Sequence, residues 1–359
     1  MGPWVRPSAR RDPCDRAVVT APMRSPPPLE ALPKRADALP TLVRWLAPLA
    51  ALLLVTLYFT WRTGGLFLRG ENLTDIGQQA AIIVIVGVGQ TLVIISGGID
   101  LSVGAVMAFT GTLAAALMLR GELAPAVAAT VGTAAGGLVG LFNGFVTVRA
   151  RLHPFIITLG SMMMIRGLAL ALTGAQNTDL LPDAFTRLGR GDLAIPLGGA
   201  RELVVAPVLV TYLVAIALAA HLFLTRTRAG RYCFAIGSNA QAARLSGIRV
   251  GACVTLYFVL AGLLFGFAGV VQAARLGIGT PNGSQNLELE SIAAAVIGGT
   301  SLSGGQGTIG GTVLGALLMA ALRVGFRMEN YAPHWQTFWL GAAIILAVVY
   351  DRASRRRTA

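Results

Sequence analysis

The sequence predicts an all-α membrane protein, a polytopic bundle of about ten transmembrane helices, and three observations predict it. Hydrophobic residues make up 55% of the chain and charged residues only 13%, against roughly 25% charged in a soluble domain. So few charges cannot clothe a soluble surface of this size, and the mean hydropathy is +0.69. The apolar residues gather into runs bounded by Gly, Pro and Arg, most of them near the ~20 residues that a helix needs to cross ~30 Å of hydrocarbon. Helices satisfy their own backbone polar groups and are therefore the spanning element.

Residues 1–40 carry many Pro and Arg, including Pro26, Pro27 and Pro28, and show no apolar period. They read as a disordered, cytoplasmic tail, and Met23 offers a second possible start. The first apolar run, 43–60, lies far from the N-terminus and has no small-residue cleavage site before Trp61 and Arg62, so it reads as a retained helix rather than a signal peptide. Further runs follow at 78–97, 102–119, 124–148, 154–173, 204–224, 251–274, 288–300, 308–324 and 335–350. The run at 288–300 is short of a full span and is expected either to cross or to turn back as a half-helix. Residues 41–350 form the membrane domain, with a polar loop at 225–250, and 351–359 a basic cytoplasmic tail.

The net charge of +13 raises the question of a nucleic-acid partner, and the placement of the basic residues answers it. They sit between apolar runs, without the basic face interleaved with stacking aromatics that nucleic acid needs. Arg24, Lys34, Arg35 and Arg44, then Arg149 and Arg151, then Arg226, Arg228, Arg231, Arg244 and Arg249, then Arg352 and Arg355 to Arg357 all fall on one side of a ten-helix chain. The opposite loops carry Glu71, Asp75, Glu122, Asp179, Asp183, Asp192, Glu202, Glu288 and Glu290, with Arg323 and Arg327 as exceptions. Basic residues collect on the cytoplasmic side, so both termini are expected there.

Two glycine series are expected to pack helices. Gly132, Gly136, Gly140 and Gly144 recur every four residues, and Gly311 and Gly315 repeat the spacing, which lets a neighbouring backbone approach closely. There is also an internal echo: GGIDLSVG at 97–104 and GGTSLSGG at 298–305, each at the junction of two apolar runs. Matching breaks in two halves mark pathways in transporters; equally, any tight turn between helices wants glycine and a capping Asp or Ser.

Reactive chemistry is sparse. Residues 302–306 spell LSGGQ, a nucleotide-binding signature elsewhere, but the only lysine, Lys34, is followed by Arg35, and a phosphate loop needs Lys followed by Ser or Thr. Gly305, Gly307 and Gly310 form a GxGxxG with no strand before it. His153, His221 and His334 are far apart, and Cys14, Cys233 and Cys253 show no paired or metal-ligand spacing. The chain is therefore not expected to be an enzyme, nor to hold a metal or cofactor of its own. Asp100 is the one acidic residue near an apolar run away from the acidic loops; it either caps the helix that follows or contacts a substrate. With so few groups able to relay protons, an energy source in another subunit is favoured over proton coupling, and a secondary carrier coupled to another ion stays as the alternative.

Neutral polar side chains are the candidates for a path. Gln79 and Gln90, eleven residues apart, share a helix face, and Asn143, Thr158, Ser161 and Arg166 add to the set with Asp100. Hydrogen bonding between helices is the alternative for each, and Arg166 has the further option of snorkelling outward. In the loop TRTRAGRYCFAIGSNAQAARLSGIRV at 225–250, Gln241, Ala242, Ala243 and Gly247 follow the EAA-and-glycine pattern of importer permeases, with Gln for the usual Glu. A short amphipathic helix ended by glycine suits a groove on a partner.

GQTLVIISGGIDLSVGAVMAFTG at 89–111, HPFIITLGSMMMIRGLAL at 153–170, GRYCFAIGSNAQAARLSGI at 230–248 and ESIAAAVIGGTSLSGGQGTIGGTVLGALL at 290–318 resemble the permease subunits of bacterial ATP-binding-cassette importers for ribose, xylose and related monosaccharides. The resemblance runs from about residue 42 to 350. It implies the cobalamin-importer-like permease fold, an inner-membrane homodimer with its path at the subunit interface, a cytoplasmic ATPase subunit that binds ATP and Mg, and a periplasmic sugar-binding protein. It further implies a coupling helix at Gly237, Asn239, Gln241, Ala242, Ala243, Ser246 and Gly247. Gln241 departs from the family by removing a charge that would face the ATPase.

Overall fold

The computed structural model describes Gly2 and residues 38–196, 202–332, 334–339, 341, 342 and 345; the side chains of 38–45 and 193–205 are outside the description. The chain divides into two units, 1–41 and 42–359. Apart from Gly2 and 38–40, the expected tail at 1–40 lies outside the described residues, as do the basic tail at 351–359 and most of the run at 335–350.

Helices dominate: α1 (Ala38–Arg62), α2 (Gly70–Ile95), α3 (Val103–Leu119), α4 (Pro125–Ala150), α5 (Pro154–Thr173), α6 (Asp183–Arg190), α7 (Val208–Arg226), α8 (Arg228–Ser238), α9 (Ala240–Leu245), α10 (Val250–Leu276), α11 (Leu287–Ile297) and α12 (Ile309–Met328). Six of them, α2, α4, α5, α7, α10 and α12, are long and apolar enough to cross a membrane. The chain is thus a predominantly helical bundle with several membrane-spanning helices. The segment Leu46–Arg62 of α1, and α3, are apolar but shorter, and α11, with 11 residues, covers only about 16 Å at 1.5 Å per residue. It is too short to span.

α2 is the centre of the bundle. Nearly all of its length from Gln79 to Ile95 is buried, because its apolar residues occur all round the helix rather than on one stripe. α10 and α12 pack on it, and α4 packs on α10 through glycine. A Cβ at Gly136 would meet the Gly262 carbonyl, at Gly140 the Phe258 carbonyl, and at Gly144 the Thr255 backbone; Gly132 backs onto the Thr110 carbonyl. Gly311 and Gly315 lie likewise against the Gly298 and Ala294 carbonyls, which closes α12 onto α11. By contrast α4, α5 and α7 present Leu138, Phe142, Phe145, Met163, Met164, Leu168, Val214 and Leu218 outward, large apolar side chains where a surface helix of a soluble protein carries polar ones.

One end of the bundle is tied by ion pairs. Arg275 and Arg327 both reach Asp75 (3.2 and 2.8 Å), Arg62 pairs with Glu329 (2.6 Å), and Arg323 pairs with the buried Glu290. Arg323 and Arg327, the exceptions to the charge asymmetry, are therefore neutralised by carboxylates of that same end.

A short antiparallel hairpin, β1 (Asp192–Pro196) and β2 (Glu202–Pro207), is a departure from the all-α expectation. With α6 it fills the stretch between α5 and α7, and β2 takes the first residues, 204–207, of the run expected at 204–224, so that the helix begins only after Pro207. α6 docks because Phe185 is buried beside Val270 and Ala274 of α10, Gly189 touches the Arg275 backbone, and the Arg190 guanidinium donates to the carbonyls of Arg275 and Leu276 (2.7 Å each). Those carbonyls end α10 and have no partner within the helix.

Candidate functional site

The two echoing segments are both breaks between helices, and they meet. Residues 96–102 separate α2 from α3, and 298–308 separate α11 from α12. The Gly305 N–H donates to the Ile95 carbonyl at the end of α2 (2.8 Å). A Cβ on Gly304 would stand 3.2 Å from the Gly97 Cα and 2.9 Å from the Gly237 carbonyl. Gly97 and Gly304 have φ of +92° and +83°, which a side chain disfavours.

Polar side chains hold the first break in place. The Gln90 amide, oriented to satisfy both of its ends, donates to the Asp100 carbonyl (3.1 Å) and accepts from the Asp100 N–H (3.3 Å). The Asp100 carboxylate accepts from the Ser102 N–H and hydroxyl (2.8 and 2.6 Å), and Asn143 of α4 donates to that hydroxyl (3.0 Å). Thr158 of α5 accepts from the Leu101 N–H (3.1 Å) and faces the Ile99 carbonyl. Residues 99–102 make few backbone bonds of their own, and buried backbone groups need partners; Gln90, Asp100 and Thr158 supply them, and Asn143 fixes the Ser102 hydroxyl.

The other polar candidates sit elsewhere. Gln79 donates to Asp75 beside the ion pairs (3.1 Å). Ser161 is buried and its hydroxyl has no partner among the described residues. Arg166 donates to the Gly283 carbonyl (2.9 Å). The candidates therefore divide: Gln90, Asp100, Asn143 and Thr158 converge on one break, Ser161 lies one turn along α5 from Thr158 without bonding to the group, and Gln79 and Arg166 bond elsewhere.

The polar stretch at 225–250 folds as α8 and α9. Thr227 caps α8 by accepting from the Gly230 N–H (3.0 Å), and Asn239 caps α9 by accepting from Gln241 and Ala242 (3.0 and 2.9 Å), as short side-chain oxygens do at helix starts. The Gly247 N–H returns to the Arg244 carbonyl (3.0 Å) with φ +83°, a left-handed C-terminal turn. Ala243 is buried, while Gln241, Ala242, Arg244, Ser246, Gly247 and Leu245, the last at 84%, are exposed. The inner face is anchored by Cys233, whose thiol points at the Leu92 carbonyl (3.4 Å), and by the Tyr257 hydroxyl donating to Ala229 (2.7 Å).

Gly237 joins these parts. A Cβ there would collide with the Ile95 carbonyl and stand 2.5 Å from the Gly305 amide. The end of α8 thus rests directly on both breaks, one face touching them and the adjoining helix α9 turned outward. Gly97, Gly304 and Gly305 carry this contact, a role the sequence did not assign to them; their place within the two echoing segments was the available signal, although Gly97 aligns with Gly298 and Gly305 with Gly104.

The chain matches over residues 72–348 the family described as the branched-chain amino acid transport system / permease component. It is 33% identical to the xylose transport system permease protein XylH of Escherichia coli, covering 86% of this chain and 92% of that one. It is 37% identical to the ribose import permease protein RbsC of Escherichia coli (79% and 87% covered) and 35% identical to the fructose import permease protein FrcC of Rhizobium meliloti (86% and 85%). No solved structure matches the chain. On the length of the family match and the extent of these relatives, the chain belongs to the branched-chain amino acid transport system / permease component family.

Proposed function

We propose that this chain is the membrane permease of an ATP-driven importer of the ATP-binding-cassette kind, carrying a monosaccharide of the ribose or xylose type. The observation that carries the reading is the seat of α8–α9: an exposed, capped, polar two-helix loop whose end at Gly237 touches both breaks in the bundle. A loop so placed suits a partner that pushes on the bundle from one side. Relatives named for xylose, ribose and fructose transport favour a sugar as cargo.

In this reading ATP and Mg belong to a separate cytoplasmic ATPase subunit docked on the exposed Asn239, Gln241, Ala242, Ser246 and Gly247, with the buried Ala243 holding α9 to the bundle. A periplasmic binding protein delivers the sugar, and two copies of the chain enclose the path. The protein lies in the bacterial inner membrane with about ten spans and both termini in the cytoplasm, in a cobalamin-importer-like arrangement. Two of the buried carboxylates are already engaged, Asp100 by Ser102 and Glu290 by Arg323, which leaves neither free to relay protons.

Co-expression with ATP-binding-cassette ATPase subunits from the same genome tests the assignment. The permease and its ATPase should co-purify, and replacing 239–247 with a Gly/Ser linker should separate them. A permease that never associates with an ATPase would overturn it.

A further inference from the structure

The ten residues between α10 and α11 form no helix, yet they run inside the bundle. Leu287, the first residue of α11, is buried in the same cluster as Ala81, Ile82, Ile85 and Val86, the middle turns of the 26-residue α2. The Ser284 carbonyl lies against Gly104 at the start of α3, and three residues further along the same helix the Met107 backbone touches Gly269 within α10. Residues 282–286 are therefore at about half the depth of the spanning helices.

Their surface is polar and open. Asn282, Gln285 and Asn286 are exposed, and Gly283 and Ser284 half-buried. Irregular backbone and free carboxamides at that depth are tolerated only inside protein or beside water, because lipid offers no hydrogen bonds. Two further polar groups adjoin the segment. Arg166, twelve residues into α5, has the Gly283 carbonyl as its one hydrogen-bond partner and no carboxylate partner among the described residues, and a guanidinium so placed in mid-membrane faces the protein interior or a water-filled cavity. The Glu288 Oε2, packed against Gly104, is buried without a partner among the described residues.

We propose that Asn282, Gln285 and Asn286, with Arg166, form a binding station for a neutral polyhydroxylated solute in a water-filled passage at half depth. Carboxamides both donate and accept, which matches sugar hydroxyls, and the guanidinium and the Glu288 carboxylate leave the station without a strong net charge to favour ionic cargo. The station rests on the permease reading above and adds the part of the path that meets the sugar.

The test uses the full chain with its ATPase and the sugar-binding protein in vesicles, after Cys14, Cys233 and Cys253 are changed to Ser. Asn282→Cys and Gln285→Cys should react with a charged, water-soluble thiol reagent at least tenfold faster than Leu138→Cys on the outward apolar face of α4, and saturating ribose or xylose should slow them. Gln285→Leu should raise the sugar concentration for half-maximal uptake about tenfold or more, while leaving the complex intact on gel filtration. Reaction no faster than at Leu138→Cys, or wild-type uptake by Gln285→Leu, would overturn the station. Absence of ATP-driven uptake in the unmutated complex would instead count against the permease reading, and the labelling rates would still decide the station.

Discussion

Gln90 holds Asp100 by its backbone: one carboxamide in the middle of the bundle pairs with both the carbonyl and the N–H of a residue ten positions on, across the end of its own helix. Gln90 is fully buried. A long polar side chain in the most buried helix of the protein is thereby explained as the partner of a chain segment that has left helical geometry, a role that fixes where the break occurs.

Gln90→Leu leaves both Asp100 backbone groups without that partner. Unsatisfied buried groups cost about 1–3 kcal/mol each, so thermal unfolding of the purified variant should show a clear loss of stability, on the order of 2 kcal/mol or more. Unchanged stability would show that the pairing does not hold the break.

Gly237→Ala adds a methyl group where the Ile95 carbonyl and the Gly305 amide stand. The expected result is a folded, ATPase-bound permease whose sugar-dependent stimulation of ATP hydrolysis falls at least tenfold. Gly167→Ala, where a Cβ meets nothing within 4 Å, is the matched control and should behave as wild type.

Arg323→Met strands the Glu290 carboxylate, which is buried while Arg323 remains about one-third exposed. Breaking a buried pair typically costs 3–5 kcal/mol, and the exposure of Arg323 places this one at about 3 kcal/mol or less. The double variant Glu290→Gln/Arg323→Met should recover much of the loss in a chemical or thermal melt, and equal melts for the single and double variants would contradict the pairing.

Gly247→Arg places a side chain in the exposed left-handed turn that ends α9. The backbone cost is roughly 1–2 kcal/mol, small enough for the bundle to fold. Coupling should fail: ATP hydrolysis by the assembled complex should no longer respond to sugar-loaded binding protein. A normal response would remove this turn from the docking surface.

What was legible in the sequence followed from periodicity and small residues. Runs of apolar residues located the long helices, and glycines four apart on α4 were visible as a series because each of Gly132, Gly136, Gly140 and Gly144 occupies the same helix face. The shortness of the run at 288–300 was visible too, and α11 is accordingly a half-helix of 11 residues. The meeting of the breaks was not legible. That Gly97, Gly237 and Gly304 touch depends on packing between segments as much as 207 positions apart, and no local pattern encodes it. The same holds for α6, whose eight residues dock through Phe185 and Gly189 on a helix far along the chain, and for Asn282, Gln285 and Asn286, which look like an ordinary polar loop until Leu287 is seen among the core of α2.

The most direct measurement is sugar uptake into vesicles holding the permease, its ATPase and the binding protein, with ATP supplied and ion gradients collapsed by ionophores. Undiminished uptake that stops when ATP is replaced by a non-hydrolysable analogue is the predicted result. Uptake that continues without the ATPase and disappears with the ion gradient would contradict it.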